Sequence, residues 1–334
     1  MTDSTAPGLV ESQEPEKTIY DELPDAPPKK RIRLSIVGKV SVCVVAFWVF
    51  LAIFGTWLTP YTERDYIEED PTGEFFDDPT FMVPSLEVST YLGTDYTGRD
   101  VFSRIVWGAR TTIGISFAAT LLAYFIGITL GIAAAVAGRW TDAIMSRIVD
   151  AILTFPNIML GLIVIAAFSG QVFINPITDA IILLVVLAGV VYAASVFRIA
   201  RALGQDIMVQ DYVEAARARG EGLWWIITRE VLPNAAMPLA TDFGLRLVFV
   251  ILFISALSFL GLGVPPPVAD WGSMVRENLP GLGNGFFPRE GTINAGALAS
   301  VAPALAIASL TIAINLIVDD ISAQAGGSLA KKMV

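Results

Sequence analysis

Six stretches of this chain carry no charged residue, and they limit what it can fold into more than any other feature. They cover residues 40–58, 111–138, 151–178, 180–197, 247–269 and 291–318. A helix needs about 20 mostly apolar residues to cross a bilayer, so each stretch reaches or approaches a span. The longest overrun the hydrocarbon and must include loop or interfacial turns. Charged residues make up 16% of the 334, against about 25% in soluble domains. Yet the net charge is −10 and the mean hydropathy +0.63. Those values agree only if charge and apolar surface occupy separate segments. The expected fold is an all-α polytopic membrane protein with six transmembrane helices.

Composition also excludes chemistry. Cys43 is the one cysteine, so no intramolecular disulfide can form and a cysteine zinc site is implausible. Histidine is absent, which removes imidazole bases, imidazole ligands and histidine pH switches together. No metal site and no catalytic residue is identified. The one Gly-Lys pair, Gly38-Lys39, is followed by valine and lacks the upstream glycine of a phosphate-binding loop. The chain therefore does not bind ATP in that manner.

Lys/Arg bias sets the expected orientation. With the N-terminus in the cytoplasm, 15 Lys/Arg fall inside and six outside, leaving Arg246 near or within a helix. Both termini are thus expected in the cytoplasm. Residues 1–38 form an acidic, proline-rich tail that reads as disordered, ending in a basic collar of Lys29, Lys30, Arg31, Arg33 and Lys39 at its junction with the first span. A cleaved leader fits poorly, because the apolar run is too long and no small-x-small site follows Trp57. Further segments are a first span over 39–59 and an acidic extracytoplasmic loop over 60–110. A five-helix core over 111–325 and a cytoplasmic tail over 326–334 complete the chain. The acidic loop reads either as a solvated surface or as a docking surface for an external partner.

The most informative loop lies within 198–238. From 209 to 219 the residues are good helix formers without Gly or Pro. Gly220 then offers a permissive C-cap. A second short helix is expected over 223–231, ending before Pro233. Two rigid helices joined at a glycine could carry a push from a soluble partner into the attached spans. A plain amphipathic loop packed on its own bundle is the alternative. Elsewhere, Pro156 after Phe155 is expected to kink the third span. Asp150 and Asp242 are placed at inner ends as caps or loop contacts. Arg246 either snorkels to the cytoplasmic headgroups or lines a pathway. Gly127 and Gly131 form a GxxxG pair suited to close helix packing.

Glu214-Ala215-Ala216, then Gly220, then Leu232-Pro233 resembles the EAA signature of the permease subunits of type I ABC importers. Glu230 departs from the general pattern but resembles the dipeptide/oligopeptide branch. Leu92-Gly93-Thr94-Asp95, Gly98-Arg99-Asp100, Ser103-Arg104 and Gly108-Ala109-Arg110 resemble that branch before its second span. Ser258-Phe259-Leu260-Gly261-Leu262-Gly263 and Trp271-Gly272-Ser273-Met274 resemble the end of its fifth span. Asn315-Leu316 with Asp319 resembles its C-terminal end. The best match is the C-type permease of peptide and nickel importers, over residues 30–325.

The resemblance implies an ATP-driven importer of peptides, or of nickel or another small solute. Its implied partners are a sister permease in a heterodimer, two cytoplasmic ABC ATPase subunits that bind the ATP and magnesium, and an extracytoplasmic solute-binding protein, all beside membrane lipid. No nucleic acid and no cofactor of the chain's own is implied. Asp211, Tyr212, Glu214, Ala215, Ala216, Arg217, Gly220, Leu232 and Pro233 would couple to an ATPase. Glu214 would pair with a basic residue there, and Ala215 and Ala216 would permit close approach. Phe155, Pro156, Arg246 and Ser258 are candidates for the pathway or its gate. An ion-coupled secondary transporter should show mid-span ionisable residues and internal repeats. A membrane scaffold would leave the Glu214–Pro233 spacing unexplained.

Overall fold

A computed structural model describes residues 34–67, 80–86, 89–168, 174–285 and 296–330. The expectations for residues 1–33 of the acidic tail and for residues 68–79 of the acidic loop lie outside the described residues. Among the described residues, five helices are long and apolar enough to cross a membrane. They contain α1 (Ile36–Phe54), α2 (Val101–Val136), α5 (Pro176–Met208), α8 (Leu232–Phe259) and α10 (Ala297–Ala330). Between α2 and α5 lie α3 (Arg139–Thr154) and α4 (Asn157–Phe168), bent by 89°. Phe155 is extended, as a residue preceding proline prefers, so Pro156 breaks this span outright instead of kinking it.

Packing shows how many times the chain crosses. Along α2 and α5, Leu122 meets Gly189, Gly127 meets Val196, Gly131 meets Ala200 and Ala135 meets Gly204. Both numbers rise together, so the two helices run parallel, and the chain must cross back between them. The bent pair α3–α4 makes that return, giving six crossings. Close approach requires the glycines here. A Cβ on Gly127 would stand 2.6 Å from Val196 Cβ, and one on Gly131 2.7 Å from the Phe197 carbonyl oxygen. α1 runs against α10, with Ser35 N donating to Asp320 Oδ2 at 2.7 Å and Trp48 Nε1 to Ser309 Oγ at 3.0 Å. The starts of α1 and α8 and the ends of α2, α5 and α10 therefore share one membrane face.

Helix ends differ from the charge-free runs. α2 starts at Val101, ten residues before the run, because Asp100 caps it by accepting from Ser103 N at 2.8 Å. α5 continues through Arg198 and Arg201 to Met208. Arg201 is neutralised by a paired contact with Asp142 of α3. α8 starts well before residue 247 and stops at Phe259, so residues 260–269 form a loop rather than span.

Candidate functional site

At the face shared by the α5 and α8 ends, α6 (Asp211–Ala218) stands out from the bundle. Asp211, Tyr212, Glu214, Ala215 and Arg217 are exposed, while Val213 and Ala216 are fully buried with Ile226 and Val231. The apolar side of this short helix is thus spent on its own chain. Ala216 is not available for close approach to a partner, contrary to the sequence expectation; Ala215 is. Gly220 closes α6 as expected. Its φ is +85°, its N–H donates to Arg217 O at 2.9 Å, and Glu221 N donates to Ala216 O at 3.2 Å. A side chain at Gly220 would meet nothing, so conformation alone requires glycine there. Arg219 lies over the Trp225 ring at 5.8 Å.

Pro233 does not stop the second helix. The one-turn α7 (Leu223–Ile226) passes through a π-helical turn, Ile227–Val231, into α8, making one helix from Leu223 to Phe259. Proline lacks an N–H and clashes with the carbonyl four residues back. A wider turn directly before it relieves both problems, and Asn234 Nδ2 takes up the Glu230 carbonyl at 2.7 Å. Pro233 is exposed and Leu232 half-buried. α6 is therefore joined through Gly220 to a rigid rod that runs across the membrane.

At the opposite face, the residues before α2 interlock with α9 (Trp271–Glu277). Asp95, Arg99 and Arg104 are almost wholly buried. Asp95 Oδ1 accepts from the backbone of Thr97 and Arg99, and Asp95 Oδ2 lies 2.9 Å from Arg99 Nε and 3.4 Å from Arg104 Nε. Glu277 Oε2 lies 3.4 Å from Arg99 and 3.5 Å from Arg104. Burial pushes the Glu277 carboxyl up, and the two guanidiniums oppose that shift. Asp270 caps α9 and accepts from Thr112 Oγ1 at 2.8 Å. Trp271, fully buried, donates from Nε1 to Ile105 O at 2.8 Å and packs edge-on against Trp48. Glu63, half-buried, also joins it by accepting from Ala269 N at 2.9 Å. Two segments far apart in sequence thus form one knot.

Within the span, Arg246 lies 14 residues after Leu232 and 13 before Phe259. At 1.5 Å per residue that is roughly 20 Å from either end of α8. Its Nη2 donates to Asp242 Oδ1 at 2.9 Å, one turn earlier, and Tyr124 OH of α2 donates to Asp242 Oδ2 at 2.5 Å. Asp242 is therefore no inner-end cap. A charge at this depth costs about 3 kcal/mol or more if it stands alone; pairing meets that cost. The i, i+4 spacing of Asp242 and Arg246 was visible in the sequence, but the run boundary at residue 247 put Asp242 at an inner end and left Arg246 near or within the span. Nothing in the sequence pointed to Tyr124. The other pathway candidates separate: Phe155 and Pro156 are exposed at the α3–α4 break, whereas Ser258 is buried against Gly263 and Gly272 and lines no open surface.

This is the architecture of a polytopic membrane protein that presents a helical bracket at one face and a locked knot at the other. The family described as "Binding-protein-dependent transport system inner membrane component" matches residues 127–323. The dipeptide transport system permease protein DppC of Alkalihalophilus pseudofirmus is 32% identical over 75% of this chain and 74% of its own. The glutathione transport system permease protein GsiD of Pectobacterium atrosepticum is 32% identical over 70% and 71%. A putative peptide transport system permease protein of Brucella suis is 35% identical over 72% and 73%. Among solved structures, a chain of the MetNI methionine ABC transporter aligns with a TM-score of 0.49 and 20% identity, over 65% of this chain and 94% of that one.

The chain belongs to the family of binding-protein-dependent transport system inner membrane components. It is the multi-pass, non-catalytic permease subunit of an ABC importer. Membership implies partners of two general kinds, a binding protein and an ATPase.

Proposed function

We propose that this chain forms half of the translocation pathway of an ATP-driven importer of di- or oligopeptides. A sister permease supplies the other half, and an extracytoplasmic binding protein delivers the peptide. Two cytoplasmic ATPase subunits bind the ATP and magnesium, and one of them seats α6. Both termini and the α6 bracket face the cytoplasm. Closure of the ATPases pushes α6, and because the chain from Leu223 to Phe259 is one helix, the push reaches the middle of the bundle. Phe155 and Pro156 let the two halves of the third crossing move separately during that switch.

The observation that carries this reading is the exposed row Asp211, Tyr212, Glu214, Ala215 and Arg217 on a helix anchored by its other face. The names of the dipeptide, glutathione and peptide permeases it resembles support the substrate class. The test is reconstitution of both permeases and the ATPases in liposomes with the binding protein and labelled trialanine. Uptake that requires ATP and the binding protein is expected. Import of nickel with no import of trialanine would contradict the peptide reading.

A further inference from the structure

The Tyr124–Asp242–Arg246 group is more than a brace between two helices. Both carboxylate oxygens of Asp242 are engaged, Oδ2 by Tyr124 and Oδ1 by Arg246. Arg246 has donors to spare: of its five N–H groups, one on Nη2 goes to Asp242, and Nε is buried with no hydrogen-bond partner. The unmet capacity of the group is therefore that of a donor with positive charge, and it suits an anionic acceptor.

The group also lies at an open edge. The Arg246 and Asp242 side chains keep 15% and 12% of their surface. Phe249 is half-exposed beside them, with the guanidinium 5.8 Å from its ring centroid. Phe117 is exposed on the α2 side. Charges at this depth face protein or a water-filled cavity and not lipid, so in the assembled importer this edge meets either the sister permease or the pathway.

We propose that Arg246, held in place by Asp242 and Tyr124, is where the pathway wall takes hold of the C-terminal carboxylate of a passing peptide. This rests on the peptide reading above. The carboxylate approaches the side of the guanidinium that Asp242 leaves open, while Phe249 and Phe117 shield the contact from water. Asp242 offsets part of the positive charge, which keeps the grip weak enough for release, as conduction requires.

The test uses the complete importer in liposomes, with the same binding protein throughout, and two probes: labelled trialanine and trialanine amide. The amide is raised in concentration until wild-type uptake is measurable. The double variant Asp242→Asn with Arg246→Gln keeps a hydrogen-bonded pair but removes the charge and the orphaned partner, and co-purification of the ATPases checks its assembly. Loss of a charge-assisted hydrogen bond predicts a fall of roughly tenfold or more in trialanine uptake. Trialanine amide uptake should change by less than about twofold, and Arg246→Lys should recover most of the trialanine rate, since a point charge still serves. Wild-type trialanine uptake by the double variant, or an equal proportional loss for both probes, would overturn the inference and leave the group a brace. Failure of the wild-type complex to import trialanine at all would overturn the peptide reading, and this inference with it.

Discussion

The two ends of this permease solve opposite problems. At the knot, Asp95, Arg99, Arg104, Asp270 and Trp271 are almost wholly buried, and bonds from this group to Glu277, Thr112 and Ile105 O join segments 158 or more residues apart. At the opposite face, α6 buries Val213 and Ala216 and leaves its other side chains exposed. The buried charges of the knot have partners within the chain. The charged side chains of α6 face outward instead. A lever needs both: a face that a motor can grip, and a far end that does not yield.

That contrast can be broken by substitution. The largest stability effect is expected from Asp95→Ala, which leaves Arg99 and Arg104 buried without their shared counter-charge. Removing one partner of a buried pair costs about 3–5 kcal/mol, to be read as a lower thermal midpoint in detergent and lower accumulation in the membrane. Trp271→Phe keeps the ring packing but gives up the hydrogen bond to Ile105 O, for a loss of about 1 kcal/mol by the same measurement. Gly220→Ala forces a side chain into a left-handed conformation at a cost of about 1–2 kcal/mol. That cost is confined to the bracket, so local hydrogen exchange in 211–222 should rise before the global midpoint falls. Glu214→Lys should shift stability by no more than about 0.5 kcal/mol while abolishing ATP-driven uptake. If Glu214→Lys destabilised the protein as much as Asp95→Ala, the distinction between a gripped face and a locked one would fail.

The same contrast explains what could be read from the sequence. Six crossings were legible because hydrocarbon tolerates few charges and each run was long. The helix ends were not, because a charge-free run stops at any charge, paired or not. α2 passes Arg110 and Arg104 to reach its cap at Asp100. α5 passes Arg198 and Arg201 to reach Met208. α8 begins long before Arg246. Arg104, Arg201 and Arg246 each have a carboxylate partner, and Asp95 and Asp142 lie on other segments. The pairs with Asp95 and Asp142 depend on tertiary structure and leave no local trace. Gly220 was legible because left-handed closure is a local requirement. Pro233 misled because the π-turn that accommodates it has no residue signature. Ala216 misled because a motif names residues without saying which side of the helix the chain keeps for itself.

The central claim is that α6 is the point of contact with an ATPase. Its most direct test is co-purification of the ATPase with the full-length permease, wild type against Glu214→Lys, at equal membrane levels and with the thermal midpoint as a control. The expected result is an ATPase that accompanies the wild-type protein and is released by Glu214→Lys with the midpoint unchanged. Retention of the ATPase together with full ATP-driven uptake in that variant would contradict the account.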